Sequence, residues 1–181
     1  MGNEPMKTLP DKAAVLEGIP EHPAVKAILA WNAEALVDAR FDRGELTLTV
    51  TPEVIRAAAA AVQAAGYNFF EDMTAVDWFP SEPRFQLSYH ILSHSFKEHI
   101  RLRVLVDEAN PAVDSITPVW PSANYYEREV FDLFGIRFEG HPNLRRILMP
   151  EEFTAFPLRK DYPLQGRGER HNFHRLERSE G

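Results

Sequence analysis

Four prolines fall within the segment 137–165, RFEGHPNLRRILMPEEFTAFPLRKDYPLQ, at Pro142, Pro150, Pro157 and Pro163. Proline lacks an amide hydrogen and its ring clashes with the preceding turn, so no long helix fits there. Yet the segment keeps Phe138, Leu144, Ile147, Leu148, Met149, Phe153, Phe156, Leu158 and Tyr162, residues that disordered linkers lack. A structureless run of this length is unusual inside a compact domain. Something has to cover these side chains. Either the segment is an extended arm docked on another polypeptide, or it wraps back over its own sheet, and both readings stand open on physical grounds.

The stretch before it, Trp120–Phe138, reads as a short amphipathic helix. Ser122 is placed to cap its start, and Gly135 supplies a left-handed stop. Ala123, Tyr126, Val130, Leu133 and Phe134 fall on one apolar stripe. The opposite face carries Asn124, Tyr125, Arg128, Glu129 and Asp132, with Glu127 at the border. Arg128 and Asp132 at i,i+4 and Glu129 and Asp132 at i,i+3 have the spacing of solvated surface charge, where a favourable pair contributes ~0.5 kcal/mol or less. Aromatic residues crowd both ends of the stretch, Trp120 among them, and aromatic residues with arginine are typical of buried recognition surfaces.

Upstream, His22–Asn32 reads as a helix. Two alternating runs, Val37–Phe41 and Leu46–Val50, joined through Asp42-Arg43-Gly44, make a hairpin. Thr51 as cap, Pro52 at the first helical position and an alanine-rich run ending at Gly66 mark a second helix. Asn68–Phe79 reads as a strand, Pro80–Pro83 as a turn, and the runs Phe85–Ile91 and Ile100–Val106 as antiparallel strands around a loop at Ser93–Lys97. The predicted fold is α+β: a two-layer domain with a mostly antiparallel sheet and helices on one side, followed by an extended C-terminal arm. Four regions follow: a polar lead-in over 1–20, a head over 21–136, a partner-docking arm over 137–165 and a charged flexible tail over 166–181.

Charge and cysteine content narrow the function. The net charge of −7 argues against nucleic acid, which calls for a basic stripe. With no cysteine, the chain has no disulfide, no thiolate-held iron–sulfur cluster and no thiol nucleophile. No apolar run approaches the ~20 residues of a membrane span. No apolar segment follows Lys7 as a signal peptide would require, and the sixth position carries methionine where myristoylation wants Ser or Thr. Residues 141–181 are net +2 and the remainder net −9.

No catalytic constellation is legible. Glu127 and Glu129 at i,i+2 do not face each other on a helix, and acid–base pairs need convergent geometry. His90 and His94 lie in a strand-like alternation that would hold them about 13 Å apart, not on one helical face. His171 and His174 are weak ligands by themselves. Asp77, inside an apolar run, reads as a capped turn or strand end. The no-cofactor, no-metal expectation rests on these residues. Arg145-Arg146 and Arg159-Lys160-Asp161, alternating with Phe, Leu and Tyr, suggest interfacial contacts over solvated charge.

The run YEREVFDLFGIRFEGHPNLRRILMPEEFTAFPLRKDYPL closely resembles the signature of the C subunit of bacterial NADH–quinone oxidoreductase, respiratory complex I, a family shared with mitochondrial and chloroplast homologues. The resemblance is dense over Trp120–Leu164 and looser over Asn68–Asp77. It implies a peripheral-arm subunit with no flavin or cluster of its own, in a complex that uses FMN, iron–sulfur clusters, NADH and quinone. It implies a position against the large D subunit, which forms the quinone cavity, near iron–sulfur subunits, on the cytoplasmic side of the inner membrane. The resemblance gives Glu127, Arg128, Glu129, Asp132, Arg145, Arg146, Arg159, Lys160 and Asp161 structural and docking roles. Trp120, Asn124, Tyr125, Gly135, His141, Pro142, Pro157, Leu158, Tyr162 and Pro163 are expected to share them. The competing expectations are the equivalent subunit of a membrane-bound hydrogenase or formate hydrogenlyase, and a stand-alone enzyme using Glu127, Glu129 or His141.

Overall fold

The computed structural model describes Ile19 and residues 21–168. The lead-in before Ile19, the tail beyond 168 and with it His171 and His174 lie outside the described residues. The chain starts with α1 (Pro23–Trp31), where the His22 ring Nδ1 accepts the Ala24 N–H at 3.3 Å. The hairpin follows as β1 (Leu36–Asp42) and β2 (Glu45–Val50), closed by Arg43 and Gly44 at φ 53° and 85°. Two successive positive φ values match the right-handed twist of the strands they join.

Thr51 does not cap through its hydroxyl. A 3-10 turn at Pro52–Val54 precedes α2 (Ile55–Ala64) and opens the helix with backbone bonds instead. Three strands then run as a meander: β3 (Phe69–Asp77), β4 (Phe85–Ser93) and β5 (Glu98–Val106). The five strands are ordered β1-β2-β5-β4-β3, antiparallel throughout except for the parallel pair β2–β5.

Alternation sorts this sheet into two faces. One carries Leu46, Leu48, Val50, Ile100, Leu102, Val104, Phe85, Leu87, Tyr89 and Ile91, all buried in the core with Val25 and Ile28 of α1 and Ile55 and Val62 of α2. Each such aliphatic side chain contributes about 1.5–3 kcal/mol by leaving water. The other face is polar and its charges answer one another. Asp72 lies 2.6 Å from His90, Arg101 donates to His90 at 2.9 Å and to Glu45 at 2.7 Å, and Arg103 donates to Thr49 at 2.8 Å and Asp38 at 3.1 Å. His90 therefore sits on a strand within a ladder of side chains.

After β5, a short strand β6 (Ala112–Asp114) leads to α3 (Ala123–Phe134), which packs on β3. Beyond α3, β7 (Arg137–Glu139) pairs in parallel with β6. Residues 137–139 thus belong to the head, and the part of the arm without ladder partners starts at Gly140. Gly135 stops α3 in the left-handed region, φ 76°. The cap at the other end differs from expectation. Ser122 is already in helical conformation and its hydroxyl makes no capping bond. The first turn is closed by Ala123 N–H to Trp120 C=O and Asn124 N–H to Pro121 C=O.

Candidate functional site

Helix α3 is covered on two sides. Its inner face, Ala123, Glu127, Val130 and Phe134, is buried in the core. Glu127 is thus no border residue: it is fully buried and held by three donors. The Ile116 N–H donates at 2.7 Å, the Ser115 hydroxyl at 2.6 Å and the Thr117 hydroxyl at 3.2 Å. Burial raises the Glu127 pKa in spite of these donors. Tyr89, also buried, has its phenol pushed up by burial and by the nearby Glu127. His141 lies 4.0 Å from Glu127 but is not its ion-pair partner. Its Nδ1 accepts the Asn143 N–H at 3.0 Å and its Nε2 lies 3.2 Å from the Asn124 carbonyl, which is the neutral tautomer. Burial also lowers its pKa.

The outer face of α3 carries Tyr125, Arg128, Glu129 and Asp132, and the arm crosses part of it. Arg128 donates to the carbonyls of Arg145 and Arg146, both at 3.1 Å, so it does not pair with Asp132. Asp132 is fully buried under the arm. Its carboxylate takes the backbone N–H groups of Ile147, Leu148 and Met149 at 3.0, 2.7 and 2.8 Å, and Arg146 at 2.5 Å. Burial opposes this charge, but three amides and a guanidinium outweigh it and hold the pKa below its ordinary value.

Farther along, Phe156 rests on Gly135, where an added Cβ would come within 2.5 Å of its ring. Arg146 and Arg159 lie over the Phe156 ring at 5.4 and 4.8 Å. Arg159 donates to the Phe134 carbonyl at 2.6 Å, and the Leu158 N–H to the Leu133 carbonyl at 3.2 Å. The arm ends on a buried arginine. Arg84, 2 % exposed, donates to both Asp77 oxygens at 3.0 and 2.8 Å, to Glu108 at 2.5 Å and to Asp161 at 2.7 Å. Lys160 adds its N–H to Asp77 at 2.8 Å. Burial works against the Asp77 charge, yet Arg84 and the Lys160 and Phe79 amides bring its pKa down to about 2. The Arg84 guanidinium holds Asp161 down as well.

Of the two readings of the arm, then, the described residues show the second: it lies over its own head. Arg128, Asp132, Arg146, Arg159 and Asp161, expected as docking groups, are engaged inside the chain, with the buried Asp132 and Arg84 as the charges that have to be answered where they are buried. Trp120 is also internal, stacked on Phe70 with its indole N–H toward the Asn68 carbonyl at 3.4 Å. What faces outward is a different set. Leu148 and Leu158 are more than half exposed, Leu164 fully so, and Ile147 and Tyr125 join them. Glu129, Arg145 and Lys160 are exposed, as is Pro142, while Asn124, Pro157, Tyr162 and Pro163 are half-buried. Sequence reading missed Arg84 and Glu108. The signal available was Asp77, a carboxylate inside an apolar run, which demands a cation once buried.

No described group of three or more His, Asp or Glu side chains could hold a metal ion, and no described helix is long and apolar enough to cross a membrane. The family model described as "Respiratory-chain NADH dehydrogenase, 30 Kd subunit" matches residues 48–168. The C subunit of NADH-quinone oxidoreductase from Citrifermentans bemidjiense is 46% identical over 74% of this chain and 84% of that protein. Its counterpart in Roseiflexus sp. strain RS-1 is 47% identical over 85% of each chain. Among solved structures, the trypsin-resistant fragment (1-134) of Nqo5 superposes with TM-score 0.58 at 32% identity, over 67% of this chain and 99% of the fragment. A chain of the membrane-bound sulfane sulfur reductase, an archaeal respiratory membrane complex, superposes with TM-score 0.68 at 26% identity, over 86% of this chain and 94% of its own.

Proposed function

This chain belongs to the family of the respiratory-chain NADH dehydrogenase 30 kDa subunit, and on that premise we propose that it is a non-catalytic assembly subunit of the peripheral arm of a proton-pumping NADH:quinone oxidoreductase. It docks on the large subunit that forms the quinone site, on the cytoplasmic side of the inner membrane, and leaves FMN, iron–sulfur clusters, NADH and quinone to its neighbours. The observation that carries this is the arm. Its Arg146, Arg159 and Asp161 are bound within the chain, which fixes its path, while Leu148, Leu158 and Leu164 are presented outward. Leucines held in water on a rigid track are a docking surface for another protein. In support, the similar chain of the membrane-bound sulfane sulfur reductase belongs to a respiratory membrane complex and covers 86% of this chain.

The test is a triple variant, Leu148→Asp, Leu158→Asp and Leu164→Asp, in the tagged full chain expressed in its own cells. The expected result is loss of co-purification with the large subunit while the isolated variant keeps its melting temperature. Normal assembly of the variant would sink the docking role. A second reading, the equivalent subunit of a related respiratory complex with a different electron donor, is favoured by the sulfane sulfur reductase neighbour. Co-purified flavin-containing NADH-binding subunits would decide for the first reading, and their absence for the second.

A further inference from the structure

We infer that Glu127 and His141 are a neutral acid–base pair in the folded chain, with the one proton they could share held on Glu127, and that this pair is a pH-sensitive fastening at the root of the arm. Both side chains are fully buried, and His141 Nε2 lies 4.0 Å from Glu127 Oε2. Free in water, the two groups would be carboxylate and imidazolium between 4.5 and 6.5, their ordinary values. Their hydrogen bonds in the folded chain call for the opposite arrangement.

Ser115 Oγ lies 3.0 Å from Thr117 Oγ1 and 2.6 Å from Glu127 Oε2, and Thr117 Oγ1 lies 3.2 Å from the same Oε2. Two hydroxyls bring two hydrogens to these three contacts. With both donated to Glu127, the contact between Ser115 and Thr117 has none. A proton on Glu127 supplies the third hydrogen and closes a ring. The other carboxyl oxygen, Oε1, is met by the Ile116 N–H at 2.7 Å. No cation is bonded to this carboxyl among the described residues. Arg56 of α2 faces it, but is engaged by the Ser115 and Glu139 carbonyls, each at 2.8 Å, and by Asp114 at 3.3 Å. Tyr89 of β4 is uncharged, and its buried hydroxyl has no hydrogen-bond partner among the described residues. The other two buried carboxylates each hold an arginine, Arg84 on Asp77 and Arg146 on Asp132. A buried anion without such a partner is the costly case.

His141 has no place for the proton. Its Nδ1 accepts the Asn143 N–H at 3.0 Å, and its Nε2 donates to the Asn124 carbonyl at 3.2 Å. A second proton would sit on Nδ1 and set two donors against each other. The resulting imidazolium would gain no bond to Glu127, because 4.0 Å is beyond hydrogen-bond reach. Arg128 also disfavours a positive ring there. Burial acts in the same sense on both groups, raising the Glu127 pKa and lowering that of His141. His141 follows Gly140, where the arm leaves the β6–β7 pair, and its two bonds tie Asn143 to the first turn of α3. Either charge unfastens this point. The contribution of His141 is present above 6.5 and is lost as pH falls through its folded value. That of Glu127 is full below 4.5 and is lost as pH rises through its folded value.

The test follows the Glu127 carboxyl carbon and the His141 ring nitrogens by NMR across a pH series. The full-length chain carries isotope-labelled glutamate and histidine, and the variants Glu127→Gln and His141→Gln identify the signals. The expected order inverts that of the free groups. As pH rises, His141 loses its proton first and Glu127 second, with a window between them in which both are neutral and His141 is the Nε2–H tautomer. Each midpoint should stay in place when the other residue is replaced, whereas partners in an ion pair would move one another by about one pH unit or more. A carboxylate at Glu127 together with an imidazolium at His141, at any pH, would overturn the inference. So would a Glu127 midpoint no higher than those of the exposed glutamates. Should a variant fail to fold, the order of titration in the unmodified chain decides by itself.

Discussion

Arg146 donates to Asp132 at 2.5 Å across the junction between the arm and α3, while the same carboxylate collects the amides of the next three arm residues. One side chain thus fixes four consecutive residues of a segment that has no ladder of its own.

Asp132→Ala should therefore cost about 3–5 kcal/mol, because it leaves a part-buried guanidinium and three amides without an acceptor. Asp132→Asn keeps oxygen for some of the amides and should cost less. Equilibrium urea unfolding checks both, and the arm of the alanine variant should become sensitive to trypsin at Arg145 and Arg146 before the head unfolds. Equal stability of the two variants would count against the carboxylate as the organiser of the arm.

Arg84→Met should remove about as much stability, since it strands the buried Asp77 charge. Arg84→Lys should recover only part of it. A single ammonium cannot present the forked face that meets Asp77 with two nitrogens while also reaching Asp161. Thermal melts of the two variants at neutral pH provide the comparison.

Gly135→Ala places a methyl 2.5 Å from the Phe156 ring at a backbone φ of 76°. The expected loss is about 1–3 kcal/mol from overpacking together with left-handed strain. Combining it with Phe156→Ala should be less than additive, because the ring that causes the clash is gone. Strict additivity in a double-mutant cycle would mean that Phe156 does not lie on the glycine.

Glu127→Gln should be tolerated, because an amide still accepts the Ile116 N–H and the Ser115 and Thr117 hydroxyls can rotate to accept from it. Glu127→Ala leaves buried donors orphaned and should cost about 1–3 kcal/mol for each one left unsatisfied. The raised pKa adds a pH signature. Stability associated with the neutral carboxyl is full below the unfolded value of 4.5 and is lost as pH rises through the folded value. The Gln variant should lack that decline, which melts across a pH series measure.

Acid should loosen the arm. Asp77, Asp132 and Asp161 are depressed in the folded state, so their contribution is present above the unfolded value of 3.8 and disappears as pH falls through the folded values, down to about 2 for Asp77. As pH falls from about 4 to about 2 the amide signal of Lys160, bound to Asp77, should lose its native NMR shift, and those of Ile147–Met149 should do so as Asp132 becomes protonated below 3.8. A Lys160 signal unchanged while Asp77 titrates would contradict this assignment.

The head was legible because its elements carry local signals. Arg43-Gly44 turns the hairpin, Pro52 and Gly66 bracket α2, and alternation from Phe85 to Ile91 and from Ile100 to Val106 sorts the core face from the polar one. The parallel pairing of β2 with β5 was not legible, since alternation says which face a residue takes and nothing about which strand lies beside it. Likewise the spacing of α3 put Asp132 on the outer face correctly, and only the path of the arm made that face an interior.

The α+β head, the stop at Gly135 and the family to which the chain belongs could be read from the residues alone, because periodicity, turn chemistry and a long motif are written locally. Which charges are internal and which look outward was settled by the packing of the folded chain. Glu127 and Glu129 are two residues apart and chemically identical, yet one is sealed beneath Ser115 and Ile116 and the other stands in solvent beside Tyr125. A carboxylate's role follows from the donors that reach it, and those arrive from segments distant in the chain.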